Sequence, residues 1–149
     1  MMTRHEIRDS IFRIIFREQF VGKDNMELQA VDYIESLKEE PSTYLPKSKM
    51  KEDGVSAEEA AYISGKASKI LAATDDIDKI LAEASKGWDV SRIGKAELAI
   101  LRVAVYEIKY DDEVPGKVAV NEAIELAKAY CDEKAPAFIN GVLSSLIEA

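Results

Sequence analysis

The stretch VPGKVAVNEAIELAKAYCDEKAPAFINGVLSSL, residues 114–146, decides the fold of this chain. It contains two runs of small apolar residues, and a proline stands near the start of each run. At 3.6 residues per turn, Val120, Ile124 and Ala127 fall on one stripe, as in an amphipathic helix. Gly141 is expected to let a neighbouring helix approach closely. The pattern predicts two packed helices, over about 116–131 and 136–148.

Upstream of this stretch, apolar residues at helical spacing predict five further helices, and no alternating strand pattern of useful length occurs. The five helices cover about 3–20, 26–39, 57–73, 75–86 and 92–110. Ser56 with Glu59 forms a capping-box pattern, while Thr74 and Ser91 are expected to start the next two helices. The sequence therefore predicts an all-α fold. We expect a compact bundle of about seven helices, a single domain over 1–149 with packed subdomains over about 1–73 and 74–149.

The charge distribution limits how this chain can meet nucleic acid. Its formal net charge is −8, which argues against a protein that binds nucleic acid over its whole surface. Residues 1–17, however, carry four arginines against Glu6 and Asp9, so they sum to +2 and the remainder to −10. A small basic end on an acidic body predicts local RNA contact only.

Cysteine and histidine usage excludes several kinds of chemistry. One Cys and one His give neither an internal disulfide nor a zinc site, so we expect no metal and a reducing cytoplasm. Cys131 falls on an apolar stripe, which predicts an inert core thiol. No phosphate-binding glycine loop and no apolar run of roughly 20 residues occur. We expect no catalytic residues, no cofactor and no membrane span.

The first predicted helix raises two questions. Arg4 and Arg8 share a stripe with Ile11 and Ile15, so the side that should face the core begins with cations. Either these turns fray or overhang and the arginines are solvated, or a phosphate anion is their partner. His5 is then either exposed and incidental or a further contact to the same ligand.

A row of phenylalanines flanks the isoleucines of the same helix. Phe12, Phe16 and Phe20 lie four residues apart, which makes the apolar arc unusually wide. The row is explained either by burial in the core or by a second apolar surface that binds a protein partner.

Ordered motifs in the second half of the chain resemble a known family. Residues 87–108, GWDVSRIGKAELAILRVAVYEI, contain a tryptophan, a short polar turn and an LR-x-A-x-x-E pattern. A V-P turn, KVAVNEAIELAK and FINGVL follow within 114–146. In this order and spacing they resemble the NusB family of bacterial transcription antitermination factors. The resemblance implies an all-helical, non-enzymatic protein that binds boxA RNA of nascent ribosomal RNA transcripts together with NusE, a small-subunit ribosomal protein. The pair helps to assemble an antitermination complex on RNA polymerase.

The resemblance also implies site residues, carried over position by position. Phe138, which the residues alone would place in the core, becomes an aromatic that stacks on an unpaired base. The positions matched to RNA contacts are Arg4, His5, Arg8, Arg102, Lys117, Phe138 and Asn140. Those matched to contacts with the protein partner are Phe16, Phe20 and Glu97.

Departures from the family pattern bear on RNA affinity. Glu6 and Asp9 interrupt the basic segment, and Ala137 stands where lysine is usual. We therefore expect weak, salt-sensitive RNA binding by the chain alone and tighter binding with NusE. Two alternatives remain: a helical adaptor that binds protein without RNA, and a detached accessory domain of an RNA methyltransferase. The sequence leaves monomer and homodimer both open.

Overall fold

A computed structural model describes residues 2–21, 56–85 and 89–147. Every regular element in these ranges is an α-helix or a 3₁₀ helix, which confirms the all-α class. The predicted helix over 26–39 and the loop over 41–55 lie outside the described residues. Backbone contacts divide the chain into two compact units, 1–71 and 72–149. The described α-helices are α1 (Arg4–Val21), α2 (Ala57–Ala72), α3 (Thr74–Ala84), α4 (Lys95–Tyr110), α5 (Gly116–Tyr130) and α6 (Ala135–Ile147).

The first unit contains α1 and α2, each with a buried apolar stripe. In α1 the buried residues include Ile11, Phe12 and Ile15, which follow the predicted helical spacing. In α2, Ile63, Ala67, Ile70 and Leu71 are buried at intervals of four, three and one, while the opposite face is exposed. Each of the two helices is therefore stabilised by burial of its apolar face.

The second unit is built around α4. This helix packs against α3, α5 and α6, and α5 packs in turn against α6. The sequence predicts one apolar stripe on α4, but burial extends around nearly its whole circumference. The buried residues of α4 are Leu98, Ala99, Ile100, Leu101, Arg102, Val103, Ala104, Val105 and Glu107.

One glycine lies at a close helix contact, and it is not the one that the sequence indicated. A methyl group at Gly116, the first residue of α5, would lie 2.8 Å from Ile147 Cγ2 near the end of α6. Gly141, by contrast, is exposed, and a methyl group there would meet nothing within 4 Å. The prediction for Gly141 is therefore wrong, because its position on α6 points away from the neighbouring helices.

The helix starts confirm one predicted cap and correct two. Ser56 and Glu59 exchange the two hydrogen bonds of a capping box, each 3.1 Å long. Thr74 lies inside the first turn of α3 with its side chain buried, and Ala73 is the N-cap without a side-chain bond. Ser91 lies in a short 3₁₀ helix, Val90–Arg92, because Asp89 accepts its amide at 3.0 Å. α4 starts later, after Gly94.

Candidate nucleic-acid interface

The start of α1 is held by a capping box between Thr3 and Glu6. The Thr3 amide donates to Glu6 Oε1 at 2.7 Å, and the Glu6 amide donates to Thr3 Oγ1 at 3.1 Å. The pattern TRHE, residues 3–6, carries this signal in the sequence itself. The first turn is therefore helical from Arg4 onward, and its start is fixed by side-chain hydrogen bonds.

The three predicted basic contacts at this helix start differ in exposure. Arg4 and His5 are exposed in the first turn. Arg8, one turn further on, is only 8% exposed. The structure therefore presents Arg4 and His5 to solvent and places Arg8 against the body of the protein. Their predicted contact with RNA stays a prediction.

The two acidic residues that interrupt the basic segment are both turned away from solvent. Glu6 is 3% exposed and serves the capping box, and Asp9 is equally buried. Arg13 Nε lies 3.2 Å from Asp9 Oδ2, so Asp9 pairs with a cation four residues further along the same helix. Neither Glu6 nor Asp9 therefore presents an exposed carboxylate beside the exposed Arg4.

The phenylalanine row changes from buried to exposed along α1. Phe12 is buried, Phe16 is intermediate and Phe20 is 61% exposed. The rings are in contact, with centroids 6.0 Å apart for Phe12 and Phe16 and 5.1 Å apart for Phe16 and Phe20. The two ends of the row therefore differ, and the predicted use of Phe16 and Phe20 by a protein partner stays a prediction. Core packing accounts for Phe12, and an apolar surface remains at Phe20.

In the second unit, the predicted RNA residues of α5 and α6 are at least partly accessible. Lys117 and Asn140 are exposed, and Phe138 is intermediate, neither sealed in the core nor fully open. Asn140 Oδ1 accepts the Ser144 hydroxyl at 3.2 Å, which orients the amide along the helix. The Phe138 ring therefore retains an accessible portion.

Arg102 is placed differently from the other predicted RNA residues. Its Nε and Nη2 atoms donate to the two Asp78 carboxylate oxygens at 3.0 and 2.9 Å, a bidentate ion pair between α4 and α3. The Arg102 side chain is 10% exposed and that of Asp78 is 28% exposed. Arg102 therefore stabilises the second unit, and its predicted contact with RNA stays a prediction.

Glu97, a predicted partner residue, is occupied within the second unit. It is half-buried in the first turn of α4, and its carboxylate occupies the space that a Cβ at Gly94 would need. It also accepts the Cys131 thiol. Burial, this hydrogen bond and the nearby charges of Glu97 and Asp132 raise the pKa of Cys131 to about 12. The thiol is half-buried rather than in the core, yet it stays protonated and unreactive.

Comparison with known proteins assigns this chain to a family. The NusB family model matches residues 5–148. The chain belongs to the NusB family. Transcription antitermination protein NusB of Lachnoclostridium phytofermentans is 41% identical over 147 residues, which cover 99% of this chain and 100% of that protein. The family predicted from the motifs is confirmed, and because it is a family of non-enzymatic antitermination factors, so is the prediction that the chain is not an enzyme.

Solved NusB structures share the fold. T. maritima NusB superposes with a TM-score of 0.79 at 21% identity, covering 99% of this chain and 92% of that one. A chain of the crystal structure of antitermination factors NusB and NusE in complex with dsRNA superposes with a TM-score of 0.73 at 23% identity. That match covers 99% of this chain and 98% of the other. At 21% and 23% identity, the similarity to these two structures supports the fold of this chain and nothing further.

Neither a membrane-spanning helix nor a metal-binding cluster occurs among the described residues. No helix of residues 2–21, 56–85 and 89–147 is both long and apolar enough to cross a bilayer. Within the same ranges, no group of three or more His, Cys, Asp or Glu side chains is arranged to hold a metal ion.

Proposed function

We propose that this NusB-family chain is a transcription antitermination factor that binds boxA-type RNA of nascent ribosomal RNA transcripts together with NusE. The pair then helps to assemble an antitermination complex on RNA polymerase, an activity of the cytoplasm. Membership of the NusB family supports the antitermination role. The solved complex of antitermination factors NusB and NusE with dsRNA supports RNA and NusE as the partners.

The start of α1 carries the RNA-binding part of the proposal. There the chain presents Arg4 and His5 on an ordered turn, while the nearby Glu6 and Asp9 are buried. An anionic polymer can therefore meet the Arg4 cation at this turn, although the protein as a whole has a net charge of −8. Because only a few cations are exposed, RNA binding by the chain alone should be weak, and its salt slope should be about 0.7 for each phosphate that is neutralised.

The second unit carries a different kind of RNA contact. Lys117 supplies an exposed ammonium group, Phe138 a partly accessible ring and Asn140 an exposed amide. Aromatic stacking on an unpaired base contributes roughly 1–3 kcal/mol and tolerates any base. Side-chain amides can hydrogen-bond the edge of a base, so Asn140 is the residue here that can add sequence preference.

NusE is proposed to bind the first unit at the exposed end of the phenylalanine row. Phe16 and Phe20 are in ring contact, and Phe20 keeps most of its side chain in water. Covering such a ring is favourable because large apolar side chains dominate the energetics of protein interfaces. Glu97 in the second unit is proposed as a polar contact to NusE. Its carboxylate would accept a hydrogen bond from NusE in addition to the one from the Cys131 thiol.

A charge-matched pair of variants tests RNA binding. Arg4→Glu reverses an exposed cation at the start of α1, and Lys69→Glu makes the same charge change at an exposed position in the last turn of α2. The measurement is a gel shift with boxA RNA in the presence of NusE at several salt concentrations. Arg4→Glu should weaken binding about tenfold or more and reduce the salt slope by about 0.7, the value for one phosphate of a single strand. Lys69→Glu should leave the slope unchanged.

The adaptor hypothesis has its own support in the structure. Arg8 and Arg102, two of the predicted RNA contacts, are 8% and 9% exposed, which leaves fewer cations for phosphate. If the chain binds NusE but shows no RNA binding at low salt, with or without NusE, it is an adaptor and the RNA-binding part of the proposal is wrong. Light scattering of the purified chain decides between monomer and homodimer.

A further inference from the structure

One carboxylate joins the starts of α1 and α2, the two helices described in the first unit. Glu59 Oε1 accepts the Ser56 amide at 3.1 Å and so closes the capping box of α2. Glu59 Oε2 accepts the Met2 amide at 2.6 Å, 57 residues away in the chain. Met2 is itself buried, and Thr3 is the N-cap of α1. The two residues that precede the basic turn are therefore fixed, one by Glu59 and the other by Glu6.

Hydrogen bonding dominates the environment of this carboxylate. Partial burial acts to raise the pKa of Glu59, but hydrogen bonds from the Met2 and Ser56 amides and the Ser56 hydroxyl outweigh it and lower the pKa below its ordinary value of 4.5. Glu59 is therefore ionised at neutral pH. Its negative charge lies at the positive ends of two helix dipoles, where an anion is stabilising.

The start of α1 needs such support because of what it carries. Arg4 occupies its first turn, where a cation opposes the helix dipole. The first amides of a helix also lack partners within the helix. Without carboxylates at this end, the turn that presents Arg4 would be the part of α1 most prone to unfold locally.

We propose that Glu59 is a positioning residue for RNA binding, which holds the start of α1 so that Arg4 and His5 meet RNA from a fixed turn. This inference rests on the RNA-binding function proposed above. A turn that is ordered beforehand loses less conformational entropy when RNA binds, so the same contacts give a tighter complex. Glu59 does not touch RNA in this scheme.

The proposal predicts a sign opposite to that of simple electrostatics. Glu59 is a negative charge near a site for a polyanion, so its removal should strengthen RNA binding if charge alone matters. If Glu59 positions the turn, its removal should weaken binding instead. The direction in which the RNA affinity changes therefore distinguishes the two effects, whatever the size of the change.

The test compares three variants by filter binding of boxA RNA with NusE over a range of salt. Glu59→Ala should weaken binding about tenfold, the effect of one charge-assisted hydrogen bond, at every salt concentration. The salt slope should not change, because Arg4 still meets its phosphate. Glu59→Gln, which keeps one acceptor oxygen, should be intermediate. Ser56→Ala weakens the start of α2 but leaves the Met2 bond intact, and it should bind RNA within twofold of the wild type.

Amide hydrogen exchange supplies a readout that is independent of RNA. Exchange in residues 4–7 should accelerate in Glu59→Ala and remain unchanged in Ser56→Ala. Unchanged or tighter RNA binding by Glu59→Ala, with binding by the wild type intact, overturns the positioning role alone. Absence of RNA binding by the wild type overturns the proposed function. Equal weakening by Ser56→Ala shows that Glu59 acts only through the stability of α2, which also overturns the proposal.

Discussion

The ion pair between Arg102 and Asp78 offers the sharpest test of how the second unit is held together. Arg102→Ala removes two charge-assisted hydrogen bonds of 2.9 and 3.0 Å and the aliphatic stem that packs beside them. Breaking a fully buried pair costs about 3–5 kcal/mol. Because the Asp78 side chain is 28% exposed, water can reach the abandoned carboxylate, and we expect a smaller loss of about 2–3 kcal/mol.

Chemical unfolding of the purified chain measures this loss. In a separate thermal unfolding experiment, the midpoint temperature should fall by roughly 5–10 °C, since each kcal/mol lowers it by about 2–4 °C. Arg102→Met keeps most of the stem and isolates the contribution of the charge. In a double-mutant cycle with Asp78→Ala, the coupling free energy should be about 1–2 kcal/mol. A coupling free energy indistinguishable from zero would refute the reasoning, since the two side chains would then not stabilise each other.

The same pair separates the structural role of Arg102 from its predicted contact with RNA. Asp78→Asn removes the negative charge but keeps the shape of the side chain. If Arg102 contacts phosphate, the freed guanidinium should bind RNA more tightly in this variant, and the salt slope should increase. If Arg102 is structural only, Asp78→Asn lowers stability without a change in the slope.

Three further predictions follow from single positions. Gly141→Ala should raise the free energy of unfolding by about 1 kcal/mol, as should Gly65→Ala, because both glycines are exposed within helices and a methyl group meets nothing within 4 Å; a loss of stability would show an unrecognised contact. Glu97→Gln should lower the pKa of Cys131 from about 12 and speed its alkylation at pH 8.5, whereas unchanged kinetics would remove Glu97 as a cause. Phe20→Ser should weaken NusE binding by about 2 kcal/mol in calorimetry without destabilising the chain, since Phe20 is 61% exposed; undiminished binding would exclude this surface.

The sequence by itself determined the helices and the family. Apolar spacing placed the described helices within a few residues of their observed bounds, because amphipathic periodicity depends on neighbours along the chain. The capping box of Ser56 and Glu59 was predictable for the same reason, and that of Thr3 and Glu6 was equally visible in the pattern TRHE. The ordered motifs of 87–146 were sufficient for the family.

Only the tertiary structure decided which charged side chains are exposed and which are partners. Arg4 and Arg8 share a stripe in the sequence, yet Arg4 is exposed and Arg8 is buried. The Arg102 side chain hydrogen-bonds to Asp78, which is 24 residues away in the chain, and Glu59 accepts the amide of Met2, which is 57 residues away. Such pairings depend on how elements distant in the chain are brought together, and neither periodicity nor capping rules contain that information. Periodicity also could not show that α4 is buried on nearly all sides, because the burial of a helix depends on how many neighbours pack around it.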